Sequence, residues 1–327
     1  MNSISKYQFT ALLLITELFC LCCCMGSVSV TTLLGILAGT AIQYLVFVGF
    51  AAQGGTLKKW TEFFYLVYAV FCGGVLLNSL WQTSSEIYIP YEESGGAMGS
   101  IMVAGLIALV CLYASSTGIK SVSRAAVIAA FLALTCLLVD FISAVFNADW
   151  ENVTRSGGQG LLGELFRGFG LSGSLGGAAV WLGKVRGDKC RAATVFFTAK
   201  AASAAAVFLT VLPVAGGIMM LTEHPVITAA QLSQPFEAQR IDSIFLVVFS
   251  ALAVFSVTLQ VMTGAYLLEA IIPRFQRWRS LTVTAMMIGA AFIIGSRELS
   301  VLRACAAFAA LIVAPLGAKR SAAGSSG

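Results

Sequence analysis

Four ionisable side chains lie where an apolar chain should have none. Glu17, Asp140, Lys200 and Arg303 all fall inside long hydrophobic segments. Charge in such a setting is costly and is as a rule turned toward the protein interior. Glu17, near the middle of the first segment, is the sharpest of the four. A carboxylate at that depth can bind a cation, a proton or an amino group; the competing reading is a hydrogen-bonded residue that only packs helices. A rise of about 1.5 Å per residue puts Asp140 roughly 7 Å outward of centre in the fifth segment, with Arg303 at a similar outward depth in the tenth. The two can therefore pair, as an outer gate or a structural tie. Lys200 lies roughly 9 Å inward of centre in the seventh segment by the same rise, where snorkelling to the inner surface is its expected fate.

The second feature with chemistry is the stretch from Gly157 to Gly177, GGQGLLGELFRGFGLSGSLGG, in which nine of 21 residues are glycine. Each interior glycine costs a helix roughly 1 kcal/mol against alanine. The run predicts a helix that unwinds, so that free N–H groups and a half-helix N-terminus face a carboxylate. Ser172 and Ser174 add donors. A competing reading is that the small residues let helices pack closely. Gly168 to Gly173 also matches G-x-G-x-x-G, but no strand precedes it, which excludes a dinucleotide site. The candidate substrate-binding residues are therefore Thr16, Glu17, Gly168, Gly170, Ser172, Gly173 and Ser174.

Other residues carry less. Gly35 and Gly39 form a G-x-x-x-G packing face. Ser256, Thr258 and Gln260 either line a cavity or bond their own backbone. Cys20, Cys22, Cys23 and Cys24 read as small, polarizable filler rather than metal ligands. His224 is the only histidine and falls in an outer loop; a single histidine makes neither a metal site nor a catalytic triad. No metal, no cofactor and no enzymatic activity are expected.

The elements that position these groups follow from composition. Of 327 residues, 58% are hydrophobic and 11% charged, and the mean hydropathy is +0.90. A soluble domain carries about 25% charge, so the chain is an all-α integral membrane protein. Ten transmembrane helices are expected, at about 8–27, 30–52, 63–83, 98–116, 125–146, 161–183, 193–220, 241–268, 281–296 and 300–317. The first is read as retained rather than as a cleaved signal, because Glu17 interrupts it and no small-residue cleavage site follows. With the N-terminus inside, fourteen Lys and Arg residues fall in inner segments, from Lys6 to Arg320. Only Arg155, Arg240 and Arg297 fall in outer loops. This is the positive-inside bias at every turn, with both termini cytoplasmic, so the net charge of +5 marks orientation and not nucleic-acid binding. Ten helices divide into a repeat at about 7–147 and a second at about 158–317, entering from opposite faces as an inverted repeat requires. Residues 1–327 form one transmembrane domain, with 318–327 a short disordered cytoplasmic tail.

Three stretches resemble the spore germination permeases, the B subunits of GerA-type germinant receptors within the amino acid–polyamine–organocation superfamily. They are Ile4-Ser5-Lys6-Tyr7-Gln8; Tyr113 to Arg124 (YASSTGIKSVSR); and Pro235 to Phe245 (PFEAQRIDSIF), with Phe236, Arg240 and Asp242 at matching places. The resemblance implies a LeuT-type 5+5 fold with discontinuous first and sixth helices. It also implies binding of a small germinant such as an amino acid at the spore inner membrane, and as partners a larger membrane germination subunit and a lipoprotein. One departure is plain: the family's first helix carries a glycine near its middle, and this chain reads Ile15-Thr16-Glu17-Leu18-Phe19-Cys20 there. The alternatives are a proton- or sodium-coupled amino-acid transporter and a structural subunit that has lost its ligand.

Overall fold

The computed structural model describes residues 3–24, 28–88, 96–146, 148–155, 160–215, 224–232, 241–294 and 300–318. The expected tail beyond 318, Phe236 and Arg240 of the third resembling stretch, and Arg297 lie outside the described residues. The helices are α1 (Lys6–Cys23), α2 (Val30–Ala52), α3 (Lys59–Tyr88), α4 (Gly96–Ser116), α5 (Ile119–Phe146), α6 (Glu151–Arg155), α7 (Leu161–Gly170), α8 (Leu175–Trp181), α9 (Lys189–Ala215), α10 (Pro225–Leu232), α11 (Ile241–Ile271), α12 (Arg279–Ile294) and α13 (Ser300–Leu316). Among the described residues the only β pairing is two isolated bridges. Six helices, α1, α2, α3, α5, α9 and α11, are long and apolar enough to cross a membrane; residues 104–116, 279–294 and 301–316 form shorter apolar helices.

Helix α1 is the hub. Its start is fixed by a capping box: Ser5 Oγ accepts from Gln8 N at 3.2 Å while Gln8 Oε1 accepts from Ser5 N at 2.9 Å, so two otherwise orphaned donors are satisfied. Beyond that cap the sequence is Leu-rich and free of glycine and proline, and 83% of its apolar window is buried, against 28% for α5. Helix α1 thus runs through the protein while α5 keeps Ile128, Phe131 and Leu138 exposed, on a face suited to lipid. The expected discontinuity of the first helix is absent: α1 is helical from Lys6 to Cys23. The reason is the missing glycine, since Ile15 to Cys20 offers no residue that tolerates unwinding cheaply.

The sixth segment does break. Helix α7 ends at Gly170, residues 171–174 are not helical, and α8 begins at Leu175. Glycines let this segment lie hard against its neighbours. A Cβ on Gly168 would sit 2.5 Å from Thr32 O, and one on Gly35 would sit 2.7 Å from Leu165 O, so α2 and α7 meet backbone to backbone. A Cβ on Gly170 would meet Ala304 N of α13 at 2.7 Å. The G-x-x-x-G of α2 is therefore a packing face.

At one end of the bundle, loops expected to be on one side of the membrane close on each other. Ile4 N donates to Lys184 O at 3.2 Å and Arg186 N donates to Ile4 O at 2.9 Å. Lys58 N donates to Gly317 O at 2.8 Å, and Lys189 Nζ donates to Gly54 O at 2.6 Å. Segments carrying Lys58, Lys184, Arg186 and Lys189 thus meet at the same end, as the charge alternation requires.

A buried ion pair at the broken helix

Glu17 is 2% exposed and points from the middle of α1 into the break. Its Oε1 accepts from Ser172 Oγ at 2.9 Å, from Ser174 N at 3.0 Å and from Ser174 Oγ. Ser174 is the N-cap of α8, so the carboxylate lies at the positive end of the half-helix. The break therefore does face a carboxylate, and that carboxylate belongs to the chain itself.

Its second oxygen meets a cation that is also the chain's own. Lys200 Nζ of α9 lies 3.0 Å from Glu17 Oε2. The expected snorkelling of Lys200 is overturned: the residue is 3% exposed, and its ammonium donates to Gln43 Oε1 and to Ser172 Oγ, each at 2.8 Å. All three ammonium protons have acceptors, which is the full capacity of the group. A buried pair is tolerable only when the remaining lone pairs and protons are satisfied in this way. Depth alone misplaced Lys200, because reaching inward to Glu17, Gln43 and Ser172 satisfies the ammonium fully without reaching water.

The other candidates divide. Gly173 O accepts from Gln260 Nε2 of α11 at 2.7 Å, and Gln260 Oε1 is buried without a partner among the described residues. Ser172 O is 3.5 Å from Tyr68 OH of α3. Thr16 turns its hydroxyl back to Leu12 O at 3.4 Å, so it gives the break only its methyl group. Gly168 is taken up by packing on α2 and does not face the break. Ser256 bonds its own backbone at Leu252 O. Tyr68 and Gln43 were missed by sequence reasoning; a lone amide inside the apolar α2 was the available signal for Gln43.

Asp140 and Arg303 do not form the expected pair, and no ion pair joins them among the described residues. Equal depth was not enough: α5 packs on α1, α9 and α11, whereas α13 packs on α7, α2 and α3. Asp140 has Cys22 and Cys136 as electrostatic neighbours. Arg303 Nη1 donates to Cys24 O at 3.3 Å. His224, expected in an outer loop, is 5% exposed, with Nε2 3.2 Å from Thr83 Oγ1. No cluster of three metal-binding side chains occurs among the described residues.

Beside the break lies a narrow crevice with free room, as the bundle now stands, for about one water molecule. Its walls are Cys20 of α1 and Cys24 just past its end, five residues of α3 between Tyr68 and Leu76, Gly170 to Gly173, and Arg303 with Ala306 of α13. Three helices and a broken one thus converge on a small space with one cationic wall.

No protein-family model matches the chain, and no curated protein matches it in sequence. Solved structures do. The chain is similar to Mhp1, a nucleobase-cation-symport-1 family transporter, in a closed conformation with bromovinylhydantoin bound: the TM-score is 0.66 at 15% identity, covering 96% of this chain and 78% of that one. Against the inward-facing conformation of Mhp1 the TM-score is 0.59 at 14% identity, covering 97% and 77%. At such identities the likeness shows the fold alone. Together with the apolar helices, it makes the chain a multi-pass membrane protein of LeuT-like transporter fold.

Proposed function

We propose that the chain crosses the membrane ten times, in two oppositely oriented sets of five, and that it is the permease-type subunit of a germinant receptor that binds a small nutrient, an amino acid, beside the broken sixth crossing. The observation that carries the binding reading is the α7–α8 break, where a buried polar network borders the crevice between α1, α3 and α13. A gap in a helix inside a membrane is sustainable where it is buried in protein or lines a cavity, and transporter folds place their ligands at such breaks. The receptor role, its larger membrane and lipoprotein partners, and the spore inner membrane as its place rest on the three resembling stretches. Binding biases an equilibrium between packings of the bundle, and no catalytic step is involved.

The test is a thermal-shift screen of the purified protein in detergent against amino acids and nucleosides. A nutrient at 100 times its dissociation constant should add about 2.7 kcal/mol to stability. Protection by amino acids, with no uptake into proteoliposomes, supports the receptor. Silence across the screen favours a structural subunit.

A second reading, a cation-coupled transporter, is favoured by the Glu17–Lys200 pair. A tethered ammonium sits on the carboxylate where a free cation would otherwise bind, which makes a proton the coupling ion of choice. Accumulation of amino acid in proteoliposomes under an imposed proton gradient, but not under a sodium gradient, distinguishes this reading from the first.

A further inference from the structure

We infer that the crevice beside the break, once the bundle opens it beyond its present room for about one water, is an anion site, which takes a small carboxylate with an apolar body and holds its carboxylate on Arg303. The inference rests on the proposed binding of a small solute there and names its chemistry.

The usual place for a ligand carboxylate in this fold is a half-helix N-terminus, and here it is filled. Glu17 already accepts from Ser174 N and from both serine hydroxyls, so a second carboxylate there would be repelled. The ammonium of Lys200 has no proton to spare. A ligand must therefore find its donors on the other side of the break.

Arg303 stands on that side. Its Nε is buried and has no hydrogen-bond partner among the described residues, while its Nη1 donates to the carbonyl at the end of α1. Asp140 lies away against Cys22, and Glu17 is committed to Lys200. A guanidinium in apolar surroundings is costly without an anion, and no carboxylate among the described residues pairs with Arg303. Its planar edge matches a carboxylate in a two-bonded fork, which an ammonium cannot offer. The rest of the wall is apolar or weakly polar: Phe71, Val75, Leu76 and Ala306, with three thiols. Tyr68 OH, 3.5 Å from Ser172 O and beside the Cys72 thiol, can turn to serve as a second donor. Among the described residues no carboxylate lines the crevice, so an amino group on the ligand gains no ion pair from them; the carboxylate carries recognition.

The thiols of Cys20, Cys24 and Cys72 line the same space, which gives a readout that does not depend on nutrient binding. The full-length protein in lipid nanodiscs is treated with two methanethiosulfonates of similar size, one bearing a sulfonate and one a trimethylammonium. Labelling is followed by peptide-resolved mass spectrometry, with Cys24→Ser identifying the site. The sulfonate reagent should label the crevice thiols about tenfold faster, the scale of one charge-assisted hydrogen bond. Arg303→Gln should abolish that preference and Arg303→Lys should keep it, so that loss of charge is separated from loss of fold. Propionate and L-alanine should slow the labelling, and L-alaninamide should not. Equal rates in the parent protein, a preference that survives Arg303→Gln, unreactive crevice thiols, or no protection by any carboxylate would each overturn the inference. Protection by propionate without protection by L-alanine would uphold the anion site and remove the amino acid from the proposed function.

Discussion

Helix α1 and the α7–α8 segment meet at the polar network in the centre of the bundle, and they solve the same problem in opposite ways. Helix α1 keeps its hydrogen-bond ladder and offers one side chain, Glu17. The α7–α8 segment gives up its ladder over residues 171–174 and offers backbone, with Ser174 N and two hydroxyls aimed at that side chain. Local sequence decides which does which. Ile15 to Cys20 contains no glycine, whereas Gly168 to Ser174 contains three. The difference teaches that a break needs an anion and not a second break: the carboxylate on the intact helix satisfies the open N-terminus of the other.

If that division holds, the largest effect should come from separating its charges. Glu17→Gln and Lys200→Met should each destabilise the protein by about 3–5 kcal/mol, because each leaves an unpaired charge or a stripped partner in the interior. The double variant should recover much of the loss, since the coupling between touching residues is not additive. Unfolding in mixed detergent with a double-mutant cycle measures both. Single-variant losses near zero would mean that the break stands without its carboxylate, and the comparison would collapse.

The sequence reading reached the break and missed its counterion, for a physical reason. Glycine content is a local property, so the gap after Gly170 was legible from composition; Glu17 was legible as a buried carboxylate, but as a group for a cation, a proton or an amino group and not as the partner of the break. The loop charges gave which ends meet, as the contacts of Ile4, Lys58 and Lys189 now show. Partnership of buried charges is different. It depends on which way each helix turns its face, which depth along the axis does not report. Depth therefore paired Asp140 with Arg303 and left Lys200 to the surface, whereas azimuth brought Lys200 to Glu17. The continuity of α1 was signalled by its missing glycine, yet the family likeness pointed the other way.

The glycines of α7 sharpen the comparison further, because two of them in one half-helix have opposite surroundings. Gly168→Ala drives a methyl group against the backbone of α2 at Thr32 and Ile36. Backbone cannot swing aside as a side chain does, so the cost should be about 1–3 kcal/mol, as for other overpacked sites. Among the described residues nothing lies within 4 Å of a would-be Cβ on Gly163, so Gly163→Ala should gain up to roughly 1 kcal/mol from helix propensity. Melting temperatures should move in opposite directions. If both fell together, α7 would be intolerant of any added bulk, and its close approach to α2 would not be the cause.

The smallest effect tests the intact side of the comparison. Ser5→Ala removes the hydroxyl that caps α1 and should cost about 1 kcal/mol, the ordinary value of an N-cap. Ser5→Asp should keep most of the stability, since its carboxylate can accept from the same N–H and suits the positive end of the helix. The cap lies next to Ile4, whose backbone bonds to Lys184 and Arg186 tie the start of α1 to the segment after α8. Fraying there therefore loosens the two central elements together at one end, three turns away from Glu17 by the helical repeat. Hydrogen exchange should show faster exchange at Phe9 and Arg186 in Ser5→Ala and unchanged protection at Ser174. Loss of protection at Ser174 as well would mean that α1 holds Glu17 in place from its end and not by its own continuity.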